Sequence, residues 1–442
     1  MTQDSASASA SDQPTPPAAE SKLLTETRLA DLGLHETIVS GLNTRGFTYA
    51  TPIQAETLPL ALAGGDIAGQ AHTGTGKTAA FLLATLDRLL RQRPEHSDNA
   101  PAKASQPRAL ILAPTRELAD QIYQDALPLA ADTGLKCVVC YGGTGYEEQR
   151  QAIIDGVDVL IGTPGRLIDY YKQKIFTLQA IEVAVLDEAD RMFDLGFIND
   201  IRYLFRKMPV PENRQNLLFS ATLSHRVLEL AYEHMNSPQL VKTDTETVNI
   251  GAIQQTLYHV SKDDKLALLA GTLRRIERGR TLIFINTKRM AERIEDTLNA
   301  NGFMAATLSG DVAQNKRLRL LEEFKAGELP IMVATDVAAR GLHIPDVTHV
   351  INFDLPQDAQ DYVHRIGRTA RAGNTGHAIS FACEEYVFSL PDIEAYIEHK
   401  IDAQVPPDDY FATDITIPPA RPRKPRNGRR PGGNNSGRSR RR

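Results

Sequence analysis

The chain has 442 residues, 42% of them hydrophobic, which suits two ordinary cores better than one and excludes a wholly disordered protein. No apolar run approaches the roughly 20 residues a membrane-crossing helix needs, and the Ser-, Ala- and Pro-rich start lacks the order of a secretion signal, so a cytoplasmic protein is expected. The net charge of −5 hides a division: residues 421–442 carry ten Lys or Arg and no acid, so 40 basic against 55 acidic residues leave −15 for the rest. An acidic body with an Arg-rich end points to a polyanion such as nucleic acid, the tail acting as a sequence-indifferent tether.

In chain order, residues 1–21 are poor in bulky apolar side chains and are expected to be disordered. From 22 onward, short apolar runs alternate with helical stretches. The runs are Ala109–Ala113, Cys137–Cys140, Asp158–Ile161, Val183–Leu186 and Asn216–Phe219 in the first half. Thr281–Ile285, Ile331–Ala334, His349–Asn352 and Ala378–Phe381 follow in the second. Runs of this length and spacing predict parallel strands covered by helices on both faces. Two doubly wound α/β domains are expected, at 22–242 and 253–402, joined by a polar linker at 243–252. The polar, Pro-bearing stretch 91–106 reads as a surface loop, and 403–442 as a disordered tail, Arg-rich from 421. Cys137 and Cys140 form a C-x-x-C with no second pair to complete a metal site. On a strand, residues three apart face opposite ways, so two small core side chains are expected.

The sharpest local pattern is Ala71-His72-Thr73-Gly74-Thr75-Gly76-Lys77-Thr78, between a strand-like and a helical stretch. Gly74 and Gly76 let the backbone bend around an anion, a helix N-terminus faces it, and Lys77 can reach the outer phosphates. The Thr78 hydroxyl can ligate Mg²⁺. A second Mg²⁺ contact is expected from Asp187, where the run Val183–Leu186 ends, with Glu188 placed to orient and deprotonate an attacking water. A GTPase is disfavoured, because the only Asn-Lys pair, Asn315-Lys316, is followed by Arg317-Leu318 rather than x-Asp.

Asp187-Glu188-Ala189-Asp190 resembles the motif that names the DEAD-box helicases, and the likeness extends from about Leu29 to Phe381 in the family's order. It implies two tandem RecA-like doubly wound parallel-sheet domains and an ATP-dependent RNA helicase. Gly46-Phe47 and Thr51–Gln54 resemble the Q motif, which implies that Phe47 lies at the ATP site and that the Gln54 amide reads adenine. Leu29 stands where the family usually stacks an aromatic residue on that base. Pro114–Ala119, Gly142-Gly143 and Thr163–Arg166 resemble RNA-facing motifs, implying contacts from Arg116, Gly143, Thr163, Gly165 and Arg166. Gln314 with Arg317, and Thr335, are implied to join them, all without reading bases. Ser220-Ala-Thr222 resembles the motif that couples hydrolysis to strand separation through Asp190; Asp336, Arg340, Gly341 and His364 are implied to share that coupling. His364–Arg371 resembles the family's last motif, with Arg368 and Arg371 as arginine fingers. The second half carries no G-K-T; Thr287-Lys288 is expected to end its first strand and lacks flanking glycines, so this half is expected to complete the site rather than bind ATP itself.

Leu195–Ile198, Gly341-Leu-His343, Cys383–Tyr386 and the Arg-rich tail resemble a bacterial branch of the family that works with ribonuclease E in the RNA degradosome. A monomer is expected. The alternatives are an RNA-binding scaffold of a decay complex with weak ATPase, and an ATP-driven DNA translocase.

Overall fold

The computed structural model describes residues 24–44, 46–71, 74–92, 105–143, 145–243, 253–277, 279–309, 312–339, 347–369, 376–419 and 421. Most of the expected loop at 91–106, the terminal segments 1–21 and 422–442, and linker residues 244–252 lie outside this set. In the first half, parallel strands β1 (Ile67–Gln70), β2 (Ala109–Leu112), β3 (Cys137–Cys140), β4 (Val159–Gly162), β5 (Val183–Asp187), β6 (Gln215–Ser220) and β7 (Gln239–Lys242) form one sheet, ordered β3-β4-β2-β5-β6-β1-β7. The inner strands β2, β4, β5 and β6 are buried along their whole length, as continuous apolar runs covered on both faces should be. Alternate residues feed two cores: Ile111, Val185 and Phe219 pack on one face, Leu110, Leu186 and Leu218 on the other.

The second half repeats the plan. Strands β8 (Ile253–His259), β9 (Arg280–Phe284), β10 (Ala305–Leu308), β11 (Ile331–Ala334), β12 (Val347–Asn352), β13 (Gly376–Ala382) and β14 (Asp402–Gln404) are ordered β10-β11-β9-β12-β13-β8-β14. Adding seven to each label of the first sheet gives the second, so the two domains are topological copies, and each loop of one has a counterpart in the other. All pairings within named strands are parallel, with helices between successive strands. These are two tandem RecA-like sheets.

The copy corrects one expectation. Thr287-Lys288 follows β9, the second strand of its sheet, so it matches Thr115-Arg116 after β2 and not the phosphate loop. Thr287 and Thr115 both cap the helix that follows, accepting from the Met290 and Leu118 N–H groups. The phosphate-loop counterpart is 260–264, after β8, which holds no glycine. Lys265 opens the next helix as Lys77 opens its own.

The boundary at 402 is also corrected. The chain beyond it continues to be placed on the second domain through 419: β14 pairs with β8, and the Ala412 N–H donates to the Ala267 carbonyl at 3.1 Å. Tyr410, Phe411 and Ile415 pack against the core. These three apolar residues are scattered among prolines and acids, so no run announces them.

Cys137 and Cys140 behave as core strand residues, packing on opposite faces of the sheet. Burial pushes both thiols up to about 12. Among the described residues, no helix is long and apolar enough to cross a membrane.

Candidate functional site

The phosphate loop leaves β1 at Gln70 and reaches the helix Lys77–Arg91 through Gly74 and Gly76, at φ 89° and 91°. Only glycine adopts that conformation without strain. Gly76 is needed for space as well: a Cβ there would sit 2.5 Å from the Gln54 Nε2. Lys77 is buried and folds back, donating from Nζ to the Ala71 carbonyl at 2.5 Å. His72 and Thr73 lie outside the described residues.

Gln54 is buried, and both ends of its amide are engaged within the protein. Its Oε1 accepts the Thr51 N–H at 3.0 Å, closing a capping box, and its Nε2 donates to the Gly76 carbonyl at 3.0 Å. It therefore latches the phosphate loop to the helix Pro52–Leu62. Phe47 is 48% exposed, free to meet a flat ligand, whereas Leu29 is a core side chain.

Asp187 ends β5, buried, and Glu188 follows with φ 51° and ψ 54°, a left-handed conformation rare for a residue with a side chain. Burial pushes the Asp187 carboxyl up to about 7, with Lys77 opposing the rise and Glu188 adding to it. The Glu188 Oε2 accepts Arg191 Nη1 at 3.1 Å, and Arg191 Nη2 reaches the Val337 carbonyl of the second domain at 3.3 Å. Asp190 is joined to the end of β6 and the residues just after it. Its Oδ2 accepts the Thr222 N–H and hydroxyl at 3.1 and 3.2 Å, and its N–H donates to the Ser220 hydroxyl at 3.2 Å.

A cavity of about 280 Å³ opens between the domains, with Lys77, Glu188 and Asp190 on one wall and Asp361, His364 and Arg368 on the other. Arg368 is buried there. Thr78, half-buried, follows Lys77 on the same helix turn. Arg340, Gly341 and Arg371 fall outside the described residues. Asp336 is brought to the last motif by Arg365, which grips it from Nε and Nη2 at 2.6 and 2.7 Å.

The RNA-facing candidates fall into two groups. Arg116 lies over Gly143, where a Cβ would meet its Nη1 at 2.2 Å, and donates from Nη1 to Gln314 Oε1 across the cleft at 3.2 Å. Gln314 Nε2 donates to Glu117 Oε1 at 3.1 Å, and Arg317 pairs with the same oxygen at 2.5 Å. Arg116 is thus joined to Gln314 directly, and Gln314 to Arg317 through Glu117. Arg166, by contrast, is held by Gln149 and Tyr170 of its own domain at 3.1 and 3.0 Å. Thr163 immediately precedes the helix Pro164–Lys172, Gly165 is exposed in its first turn, and Thr335 follows β11, half-buried. The sequence reading passed over Glu117 and Arg191. Glu117 sits inside the quoted Pro114–Ala119, and Arg191 lies one helical turn from Glu188, which is the signal that could have found it.

The buried pair in the second domain completes the picture. Lys265 Nζ contacts Asp354 Oδ1 at 2.6 Å, with both side chains buried. Since Lys265 matches Lys77 and Asp354 follows β12 as Asp187 ends β5, a direct ion pair closes the position where the first domain stays open. This agrees with a second domain that binds no nucleotide of its own.

Two copied parallel-sheet domains, a phosphate loop on one and a buried arginine facing it from the other, define a two-domain P-loop nucleoside triphosphatase. Residues 51–230 match the family described as DEAD/DEAH box helicase, and 264–373 match the helicase conserved C-terminal domain. An ATP-dependent RNA helicase RhlB of Xanthomonas oryzae pv. oryzae is 59% identical over 384 residues, covering 87% of this chain and 66% of that protein. One from Vibrio campbellii is 56% identical over 406 residues, 91% of each chain. Saccharomyces cerevisiae Dbp5 bound to RNA and ADP BeF3 is 32% identical, with a TM-score of 0.75 over 87% of this chain and 97% of that one. The chain belongs to the DEAD/DEAH box family of ATP-dependent RNA helicases. It spans about two thirds of the Xanthomonas relative, 66%, and most of the Vibrio one.

Proposed function

We propose that this chain hydrolyses ATP under RNA control and uses the cycle to separate short RNA duplexes locally. The observation that carries this reading is the interdomain cavity with Lys77 and Glu188 on one wall and Arg368 on the other. In the proposed cycle Lys77 leaves the Ala71 carbonyl for the outer phosphates, and Gln54 exchanges an internal partner for adenine beside Phe47. Glu188 takes the proton of the attacking water as its oxygen bonds to the γ-phosphorus and the bond to ADP breaks. Arg368 and Arg371 stabilise the charge that develops on the transferred phosphoryl, worth on the order of 10³–10⁵ in rate.

Mg²⁺ fits the residues present. Asp187 is a buried carboxyl held above its usual range, as expected of an acid built to face a cation. Thr78 and Asp187 would hold it, and it would neutralise phosphate charge.

RNA would run along Arg116, Gly143, Thr163, Gly165 and Arg166 of the first domain and Gln314, Arg317 and Thr335 of the second. Backbone contacts of this kind follow any sequence. Asp190, Ser220, Thr222, Asp336, Arg340, Gly341 and His364 would carry the coupling between this track and the cavity. Closure bends one strand beyond what a duplex follows, and hydrolysis resets the open form. The setting proposed is cytoplasmic RNA decay, the chain acting as a monomer with ribonuclease E and the RNA degradosome as partner. The 55–59% identity to RhlB helicases supports that placement.

The test is steady-state ATP turnover with single-stranded RNA, with single-stranded DNA, and with a ribonuclease E segment added. Stimulation by RNA and not DNA is expected, and further stimulation by the segment supports the decay setting. Folded protein with no turnover under any of these conditions would overturn the enzyme reading in favour of an RNA-binding scaffold.

A further inference from the structure

Arg166 is held differently from the other cations on the proposed RNA track. Arg116 and Arg317 engage partners across the cleft, whereas Arg166 rests on aromatic rings of its own domain. Its guanidinium carbon lies 4.8 Å from the Tyr146 ring centre and 5.3 Å from that of Tyr170. The two rings are 5.2 Å apart and tilted by 55°. Three such distances make a nearly equilateral triangle, so the cation sits in the notch of two rings and is not sandwiched between them. Its Nη1 is bonded to Gln149 Oε1 and the Tyr170 hydroxyl; among the described residues no hydrogen bond takes its Nη2 or Nε.

The two rings differ in how they are placed. Tyr170 is fully buried, and its hydroxyl donates to the Tyr146 carbonyl at 2.6 Å, so it belongs to the core. Tyr146 is 40% exposed, in the first turn of the helix Tyr146–Ile154, three residues beyond the Gly143 on which Arg116 lies. Gln173 donates to its hydroxyl from outside the notch, fixing the ring at both ends. A leucine could fill this half-exposed place, but only a ring offers the negative face that attracts a guanidinium.

We propose that Tyr146 is a positioning residue for RNA: its ring face holds Arg166 so that Nη2 and Nε remain available to a backbone phosphate of a single strand. This rests on the RNA reading of Arg166. A guanidinium fixed in advance loses less freedom per hydrogen bond formed, so the gain falls on RNA affinity and leaves chemistry alone.

The full-length chain is titrated with oligouridylate while ATP turnover is followed, comparing Tyr146→Leu and Tyr146→Phe, each alone and with Arg166→Ala. Tyr146→Leu is expected to raise the RNA concentration for half-stimulation by about three- to tenfold, with kcat at saturating RNA and the KM for ATP held. Tyr146→Phe is expected to stay near the unaltered chain, and Tyr146→Leu to add nothing once Arg166 is alanine. A full further loss in the Arg166→Ala background would overturn positioning in favour of direct contact between Tyr146 and RNA. An unaffected Leu variant in a chain that RNA does stimulate would overturn the role of Tyr146 alone. A chain whose turnover RNA never changes would overturn the RNA reading beneath it.

Discussion

Glu188 shows how much chemistry one backbone conformation can set. A left-handed φ at a residue with a side chain costs about 1–3 kcal/mol, and such positions cluster at active sites. Here it turns the carboxylate away from the adjoining Asp187, whose Oδ1 accepts the Glu188 N–H at 3.0 Å, and into the cavity with Lys77. Two neighbouring acids thereby gain separate tasks. Glu188→Gln keeps the shape and removes the proposed base, so turnover should fall by roughly 10²–10⁴, with RNA binding in the presence of a non-hydrolysable ATP analogue kept. Undiminished turnover would mean another group takes the proton. The acids and the lysine of this site could be read in the sequence because each must stand at a strand end or helix start, in fixed order. Glu117 could not be assigned a role, because its partner Arg317 lies across the cleft and no spacing along the chain encodes that; the spacing of Arg191 shows its contact with Glu188 but not the one with the Val337 carbonyl of the other domain.

Among the elements, legibility followed burial. Strands β2, β5, β9 and β11, covered on both faces, were continuous apolar runs in the sequence. Strand β8 was missed because the polar Gln254, Gln255 and Thr256 interrupt its apolar residues, β10 because Ala-Ala-Thr-Leu has too little bulk, and β7 because three of its four residues are exposed. Missing β8 is what misplaced Thr287-Lys288, since one absent strand shifts every counterpart between the domains. Beyond β14 the chain is held to the helix Lys265–Arg275 at Gly271, where an added Cβ would lie 1.8 Å from the Tyr410 carbonyl oxygen. Backbone cannot give way as a side-chain tip can, so Gly271→Ala should loosen residues 405–419 and expose them to protease. Cleavage there at the unaltered rate would show that the helix shifts instead. The same helix carries Lys265. Lys265→Met leaves Asp354 buried without its cation and should cost about 3–5 kcal/mol in chemical denaturation. Lys265→Met combined with Asp354→Leu should recover much of that loss; if it recovers none, the pair also orders the Asn286 and Arg365 network around it.

At the scale of the whole molecule, the two copies have diverged so that each supplies what the other lacks. The first keeps an open phosphate loop; the second fills the matching place with an ion pair and contributes Arg368. The two domains meet across this cleft through side-chain contacts from Arg116, Glu117 and Arg191. Glu117 is central among them, receiving Gln314 and the buried Arg317 on one carboxylate oxygen. In the proposed cycle closure ties ATP affinity to RNA affinity, and by linkage each ligand would then help the other by the same factor. Glu117→Gln removes the charge that pairs with Arg317, a largely buried ion pair between the domains, and close charge pairs of that kind are worth at least about 1.5–3 kcal/mol. Since the contact forms only when the domains meet, RNA affinity should fall roughly ten- to a hundredfold when a non-hydrolysable ATP analogue is present. Without nucleotide it should change little. Fluorescence anisotropy of a labelled single strand, read with and without the analogue, separates the outcomes. Equal loss in both conditions would place the effect of Glu117 within the first domain, on Arg116 beside it, and remove it from the closure of the cleft.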